Sequence, residues 1–540
     1  VSGVELGGCA AERSIILDNV VVKWGQFDKP FTSSLNYANP IQQVDLKVHF
    51  QSPSGQTRTV DGFWDGGLTW RVRFAPDEVG RWTYATACSD TQNAGLHDLH
   101  GEFECGENFR QTPFDRHGPL RLSDNRRYLA HTDGTPFFWL ADTAWNGPLR
   151  STESEWEHYL RERARQKFSA VQWVTTQWLA AYSDLEGQVA YVGREYIEIQ
   201  PSFFQRLDTK IDAINRAGLL AVPVLLWAAA WSPPDVNDMN PGFSLPEDQA
   251  ILLARYMVAR WGAYHVAWIL PGDADYRGEK AERWKRIGRT VFGGSPHAPV
   301  ILHPAGMIWI GDDFAGEAWM DVIGYQSGHG DDDLTKAWLV EGPPATQWDR
   351  TPVRPVINLE PPYENHVAYQ SRKPHDADDV RRALYWSLLV SPTAGVTYGG
   401  HGVWGWDDGT APPLNHPSTG IPLPWEHALK MPAAEQIVHL ADFFSAIEWW
   451  KLRPAQSLLA VQPGEVEKRR YVTAAQSDSG DLVVVYVPED RKIFLRENQL
   501  QSNLSAQWFN PRTGEYIVAV SVDGLAYQTP GDGDWVLVFS

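Results

Sequence analysis

Hydrophobic positions along the chain fall into three textures. Up to about residue 110 they alternate with polar ones, as in Val44-Asp-Leu-Lys-Val-His-Phe50 and Leu68-Thr-Trp-Arg-Val-Arg-Phe74. A period of two marks strands with one buried face. Turn clusters at Ser52-Pro-Ser-Gly55 and Asp65-Gly-Gly67 separate the runs, so a β-sandwich is predicted. From about 115 to 430, continuous apolar runs take turns with amphipathic stretches. The strand-like runs are 137–140, 170–174, 219–227, 265–270, 300–303, 321–325, 353–360 and 395–398. Helices are predicted over 153–167, 203–217 and 248–261, the first capped by Ser151 or Thr152 and the second ended by Gly218. Eight βα repeats of this length predict a (β/α)8 TIM barrel, an α/β fold. After a last helix near 433–444 the β texture returns, in Asp481-Leu-Val-Val-Val-Tyr486 and Trp535-Val-Leu-Val-Phe539, with a turn at Asn510-Pro-Arg-Thr-Gly514. The domains expected are an N-terminal β-sandwich over 1–112, the barrel over 113–445 and a small C-terminal β-sandwich over 446–540.

Bulk properties narrow the function. A chain of 540 residues, 43% hydrophobic, is long enough for several domains with substantial cores. No run of 18 apolar residues exists, and the most apolar stretch, 219–231, is short and interrupted by Pro223, so a soluble protein is expected. The net charge of −20 argues against nucleic acid and anionic membranes as partners, since both need a basic face. Three cysteines, Cys9, Cys88 and Cys105, allow at most one bridge, between Cys88 and Cys105 or to Cys9. The chain starts at Val1 with no recognisable leader, which leaves cytoplasmic and secreted locations open, the latter with a processed N-terminus. Oligomeric state has no signature here. Twenty-six tryptophans are an unusual supply of flat apolar faces, the kind on which the C–H faces of sugars stack, although most belong to cores.

In a TIM barrel the active site lies at the C-terminal ends of the strands. The fourth strand releases Asp273 and Asp275 within Trp268-Ile-Leu-Pro-Gly-Asp-Ala-Asp275, and the seventh delivers Glu360 at the end of Val356-Ile-Asn-Leu-Glu360. Glycoside hydrolysis needs two carboxyl groups flanking the scissile bond, one to protonate the leaving oxygen and one to attack carbon or activate water. Asp273 and Glu360 suit that need, with Asp275 as the reserve donor. The other strand ends offer groups that would hold a sugar. These are Asp142, Thr143 and Trp145 after the first; Gln177 and Trp178 after the second; and Trp227 and Trp231 after the third. His303 follows the fifth, Tyr325, Gln326 and His329 the sixth, Tyr363 and Glu364 the seventh, and Tyr398, His401 and Trp404 the eighth.

Other chemistries lack their motifs. There is no phosphate-binding loop, no dinucleotide fingerprint after a strand, no nucleophile elbow and no zinc-protease helix, so no cofactor or metal is expected. The run His329-Gly-Asp-Asp-Asp333 matches no metal-ligand spacing and reads as a solvated acidic loop, and Asn503-Leu-Ser505 is a glycosylation sequon.

These residues resemble the apiosidase-like glycoside hydrolases, family 140 of the glycosidase classification. The matching phrases are Phe138-Trp-Leu-Ala-Asp-Thr-Ala-Trp145, Trp268 with Gly272-Asp273, Gly324-Tyr-Gln-Ser-Gly-His329, Asn358-Leu-Glu360 with Tyr363-Glu364, and Thr397-Tyr-Gly399 with His401-Gly402 and Trp404. The flanks resemble the β-sandwich that precedes such barrels, in Gly62-Phe-Trp-Asp65 and Gly80-Arg-Trp82, and the collagen-binding-type β-domain that follows them, in Trp449-Trp450 and Trp508. The resemblance implies that Asp273 is the acid/base and Glu360 the nucleophile of a retaining mechanism acting on an oligo- or polysaccharide. The family's usual Gly-Gly-Asp is here Pro271-Gly-Asp273, a departure in the loop that carries the proton donor. The alternatives are a carbohydrate-binding protein on a decayed barrel and an adhesion protein working through its terminal β-domains.

Overall fold

The computed structural model describes residues 20–230, 234–294, 296–496, 499–501 and 503–540; Cys9 and Trp231 lie outside the described residues. The alternating N-terminal runs form two facing sheets. One has five strands, including Leu46–Gln51, Gly80–Cys88 and His100–Gly106, and the other has three, Phe27–Thr32, Phe63–Gly66 and Thr69–Phe74. In Leu46–Gln51 the buried and exposed positions strictly alternate. The inward set meets the other sheet, with Phe50 stacked on Phe74 at 4.2 Å and Phe27 on Phe103 at 4.2 Å. Cys88 and Cys105 sit in this core as free thiols, so the bridge that the sequence allows between them is not formed.

The central eight strands are Trp139–Thr143 (β1), Ala170–Val174 (β2), Leu220–Trp227 (β3), Trp268–Ala274 (β4), Val300–Pro304 (β5), Ile323–Gln326 (β6), Val356–Glu360 (β7) and Gly395–Gly399 (β8). They pair in parallel around one ring, β8 bonding both β7 and β1. A parallel bridge between Ile301 and Val322 joins β5 to β6 and closes the barrel. Every residue of β1, β2, β3, β5, β6, β7 and β8 is buried, as expected of strands covered on both faces. Four strands begin two or three residues later than the hydrophobic runs suggest: β1 at Trp139 rather than 137, β4 at Trp268 rather than 265, β6 at Ile323 rather than 321, and β7 at Val356 rather than 353. In consequence Asp142, Thr143 and Asp273 stand within strands, not after them.

Local chemistry places the helices. Thr152 opens Glu153–Arg165 with a reciprocal capping box to Glu155. Gly218, at φ +80°, turns the chain out of Pro201–Arg216. Residues past the last barrel helix, Pro432–Ser445, form a six-stranded and a three-stranded sheet around Val483, Val485, Leu537 and Phe539. Both flanks are anchored to the barrel by buried ion pairs. Arg73 of the sandwich reaches Asp208 at 2.7 Å, and Arg381 of a barrel helix reaches Asp534 of the C-terminal sheet at 2.8 Å. Among the described residues no helix is long and apolar enough to cross a membrane.

Candidate active site

Glu360 ends β7, and its carboxylate is gripped by two imidazoles. His329 faces Oε1 from Nε2 at 3.0 Å, and the Nε2 of His303 stands 3.4 Å from Oε2, long for a hydrogen bond. The backbone N–H of Tyr363 donates to Nδ1 of His329 at 3.3 Å. That bond leaves the His329 ring proton on Nε2, the atom facing Glu360. Asn358, two residues earlier, accepts from the Glu360 N–H at 3.3 Å and donates to Ser327 and Ser387, fixing the strand end. Burial alone would raise the Glu360 carboxyl, but the two imidazoles beside it hold it well below the usual carboxylate range.

Asp273 faces the opposite influences. Oδ1 accepts one hydrogen bond, from Nε2 of Gln326 at 2.7 Å. Gln326 is the register partner of Glu360 across β6 and β7, so one residue links the strand ends that carry the two carboxyl groups. Burial, and then the negative charge of Glu360, push the Asp273 carboxyl well above its ordinary range, against the smaller opposing effect of the Gln326 bond. The backbone here is irregular. The β4–β5 register shifts on either side of Gly272, and Asp273 has φ +53°, a left-handed conformation that costs about 1–3 kcal/mol for a residue with a side chain. Gly272 is required by space, because a Cβ there would lie 2.5 Å from the Trp227 ring. Pro271, in the place of the family's usual first glycine, pairs with Leu226 within the strand and fits the bulge, where a ladder donor is dispensable.

Asp275, the reserve donor, is bound to Arg277 at 2.9 Å and Lys280 at 3.3 Å. Those partners, Arg277 first, hold it down at about 2, so it stays ionised and cannot store a proton.

The other expected site residues divide into three sets. Around Glu360 gather His303, His329, Gln326, Tyr363 and Trp145. The hydroxyl of Tyr363 accepts from Trp145 Nε1 at 3.1 Å, which frees its own proton to point at Glu360; burial and the Glu360 charge keep that phenol protonated. Behind them lies a floor of packed aromatics. Trp145, Trp178 and Trp227 are only 3%, 1% and 3% exposed, and Trp227 touches the rings of Trp145, Trp178 and His303. They shape the pocket and cannot offer open faces to a sugar. His401 and Trp404 belong to this second layer, bonded to each other at 3.1 Å, and Gln177 is turned into the loop at Ala190 and Tyr191.

A third set points away from the pocket, against expectation. Asp142 lies between β1 and the helix Glu153–Arg165, in a 2.6 Å ion pair with Arg163 and a 2.7 Å bond from Tyr159. Tyr398 reaches outward to Glu364, at 2.7 Å. Glu364 in turn accepts from the N–H groups of Ala433 and Ala434 and caps the helix Pro432–Ser445. Tyr325 packs on Trp309 and Trp338, outside the barrel. Strand alternation sends these side chains to the helix layer. The acidic run after His329 is likewise split, since Asp332 caps Asp333–Glu341 while His329 turns to Glu360.

Sequence reasoning missed His366, which stacks on His329 at 4.1 Å, and His375, which bonds the His329 carbonyl at 3.1 Å. Burial and the neighbouring imidazoles hold His366 far below the usual histidine range, so a neutral ring backs His329. Their spacing in the loop after β7 carries no motif, and only the fold brings them to Glu360.

With the geometry set out, comparison with known proteins adds three matches to domain families. The apiosidase-like catalytic domain matches residues 123–451, a domain of unknown function matches 20–89, and a domain described from a collagenase as collagen-binding matches 453–540. No curated protein matches. Among solved structures, a glycoside hydrolase is 23% identical at a TM-score of 0.69, over 79% of this chain and 98% of its own. A family 5 glycoside hydrolase from Bacteroides vulgatus ATCC 8482 is 22% identical at 0.68, over 79% and 94%. Another protein of that organism, provisionally assigned as a glycoside hydrolase, is 19% identical at 0.70, over 97% and 99%. At these identities the structures show a shared fold.

Proposed function

The chain belongs to the apiosidase-like glycoside hydrolase family, and from that premise we propose that it is a retaining glycosidase in which Asp273 is the acid/base and Glu360 the nucleophile. The observation that carries this reading is the opposed surroundings of two carboxyl groups, Glu360 set between the imidazoles of His329 and His303 and Asp273 given only the Gln326 amide, which push the first toward the ionised form and the second toward the protonated one. In the first step Glu360 attacks the anomeric carbon while the Asp273 proton passes to the departing oxygen, so the C–O bond breaks as the glycosyl ester forms. Esterification removes the Glu360 charge, which was one of the two causes raising Asp273. The acid then weakens its hold on a proton and is suited to deprotonate the water that cleaves the ester. His329 and Tyr363, both directed at Glu360, orient the nucleophile and receive its charge again on release.

Terminal apiosyl residues on plant glycans are the first substrate to test, on the strength of the family's name. The experiment is a panel of plant and microbial glycans, with 4-nitrophenyl apiosides of both anomers, read for released sugar. The stereochemistry of the first product is read by NMR. Retention of configuration supports the mechanism; inversion, or no cleavage across the panel, refutes it.

A further inference from the structure

Tyr369 lies one layer outside the carboxylates, and no step of the hydrolysis above uses it. The residue is 55% exposed, in contrast to the buried tryptophans behind it. It packs edge-on against His329, centroids 5.7 Å apart, and His329 is the residue bonded to Glu360. The loop that displays it is pinned on both sides. Ala368 and Lys373 close a turn at 2.8 Å, and Val367 pairs with Pro374. Asp331, in the loop after β6, exchanges hydrogen bonds with Gln370 and Ser371, and Arg372 reaches the Ser418 carbonyl at 2.6 Å in the loop after β8. A side chain this exposed on so braced a turn is pre-organised for a ligand.

Burial first, then the charges of Glu360 and Asp273, raise the pKa of the Tyr369 hydroxyl, so the phenol keeps its proton. Among the described residues no hydrogen bond to that hydroxyl is formed.

The geometry points to Tyr369 as a substrate-contacting residue whose ring walls the sugar site and whose hydroxyl donates a hydrogen bond to the sugar held between Asp273 and Glu360. This rests on the two-carboxylate reading. A donor on a ring packed against the nucleophile's histidine meets the substrate near the reacting carbon, where charge redistributes, and so contributes to the transition state more than to the ground state.

The test uses the full chain with Tyr369→Phe and Tyr369→Ala, assayed on a 4-nitrophenyl apioside and on whichever panel glycan the parent cleaves. Tyr369→Phe is expected to lower kcat/KM about tenfold to a hundredfold, mostly through kcat, with an unchanged unfolding midpoint. The loss should be equal for activated and natural leaving groups, because the hydroxyl does not deliver the leaving group's proton. Tyr369→Ala should lose at least as much and also raise KM. A Phe variant within twofold of the parent overturns the inference and leaves the carboxylate assignment intact. A parent inert on the whole panel sinks the carboxylate reading, and the inference falls with it.

Discussion

Glu360 meets two imidazoles and Asp273 meets one amide and a neighbouring negative charge. That difference makes one carboxyl a nucleophile and the other an acid. Because Glu360 raises Asp273, Glu360→Gln should lower the Asp273 pKa, a shift readable by carboxyl-carbon NMR. An unmoved titration would mean that the two groups do not interact. The pH profile follows. Activity should fall on the alkaline side as Asp273 loses its proton, and on the acid side only below the ordinary carboxylate range, where Glu360 is protonated. Stability has the matching sign. A carboxyl raised in the folded state favours folding below its unfolded pKa, and that contribution is lost as pH rises through the folded value. Asp273→Asn should therefore melt close to the parent in acid and above it in alkali; a variant less stable at alkaline pH would contradict the buried-acid account.

At the scale of elements, strand order and chemistry were readable from the chain, whereas side-chain direction was not. Period-two alternation revealed the N-terminal strands, because one face of Leu46–Gln51 meets water. Barrel strands are buried on both faces, so nothing in β1 distinguishes Asp142, turned to the helices, from Thr143 beside it. The same ambiguity hid the outward direction of Tyr325 and Tyr398, and Glu364 sits in the loop after β7, where the sequence carries no direction at all; Asp273 and Glu360 stood out as candidates because each is a carboxylate delivered at the end of an apolar strand. The outward pair has its own consequence. Asp142→Ala leaves Arg163 buried without its partner, which costs about 3–5 kcal/mol. Urea unfolding should show that loss with KM unchanged; a variant of parental stability with a raised KM would instead place Asp142 on the substrate.

For the whole molecule, the C-terminal sheet acts as an extension of the barrel's packing. Tyr385 stacks on Tyr486 at 4.7 Å, Phe443 meets Phe509 at 4.8 Å, and Trp386 bonds the Tyr471 carbonyl at 2.8 Å. Ending the chain at residue 452 would strip these contacts from the barrel and leave Arg381 without Asp534. The truncated protein should aggregate on size-exclusion chromatography, and a monodisperse, fully active barrel would contradict this. Three β, α/β and β textures announced the architecture, but the interfaces joining them were silent in sequence, since they are made of aromatics that also suit an ordinary core and of ion pairs between residues far apart in the chain. The central claim remains the division of labour between Asp273 and Glu360. Its most direct measurement is pre-steady-state phenol release from activated and unactivated aryl glycosides by the parent, Asp273→Asn and Glu360→Gln. The account predicts that Asp273→Asn keeps rapid release from the activated phenol and loses about 10²–10⁴-fold on the basic leaving group, while Glu360→Gln releases neither. Equal losses on both substrates in Asp273→Asn, or full activity in Glu360→Gln, would contradict it.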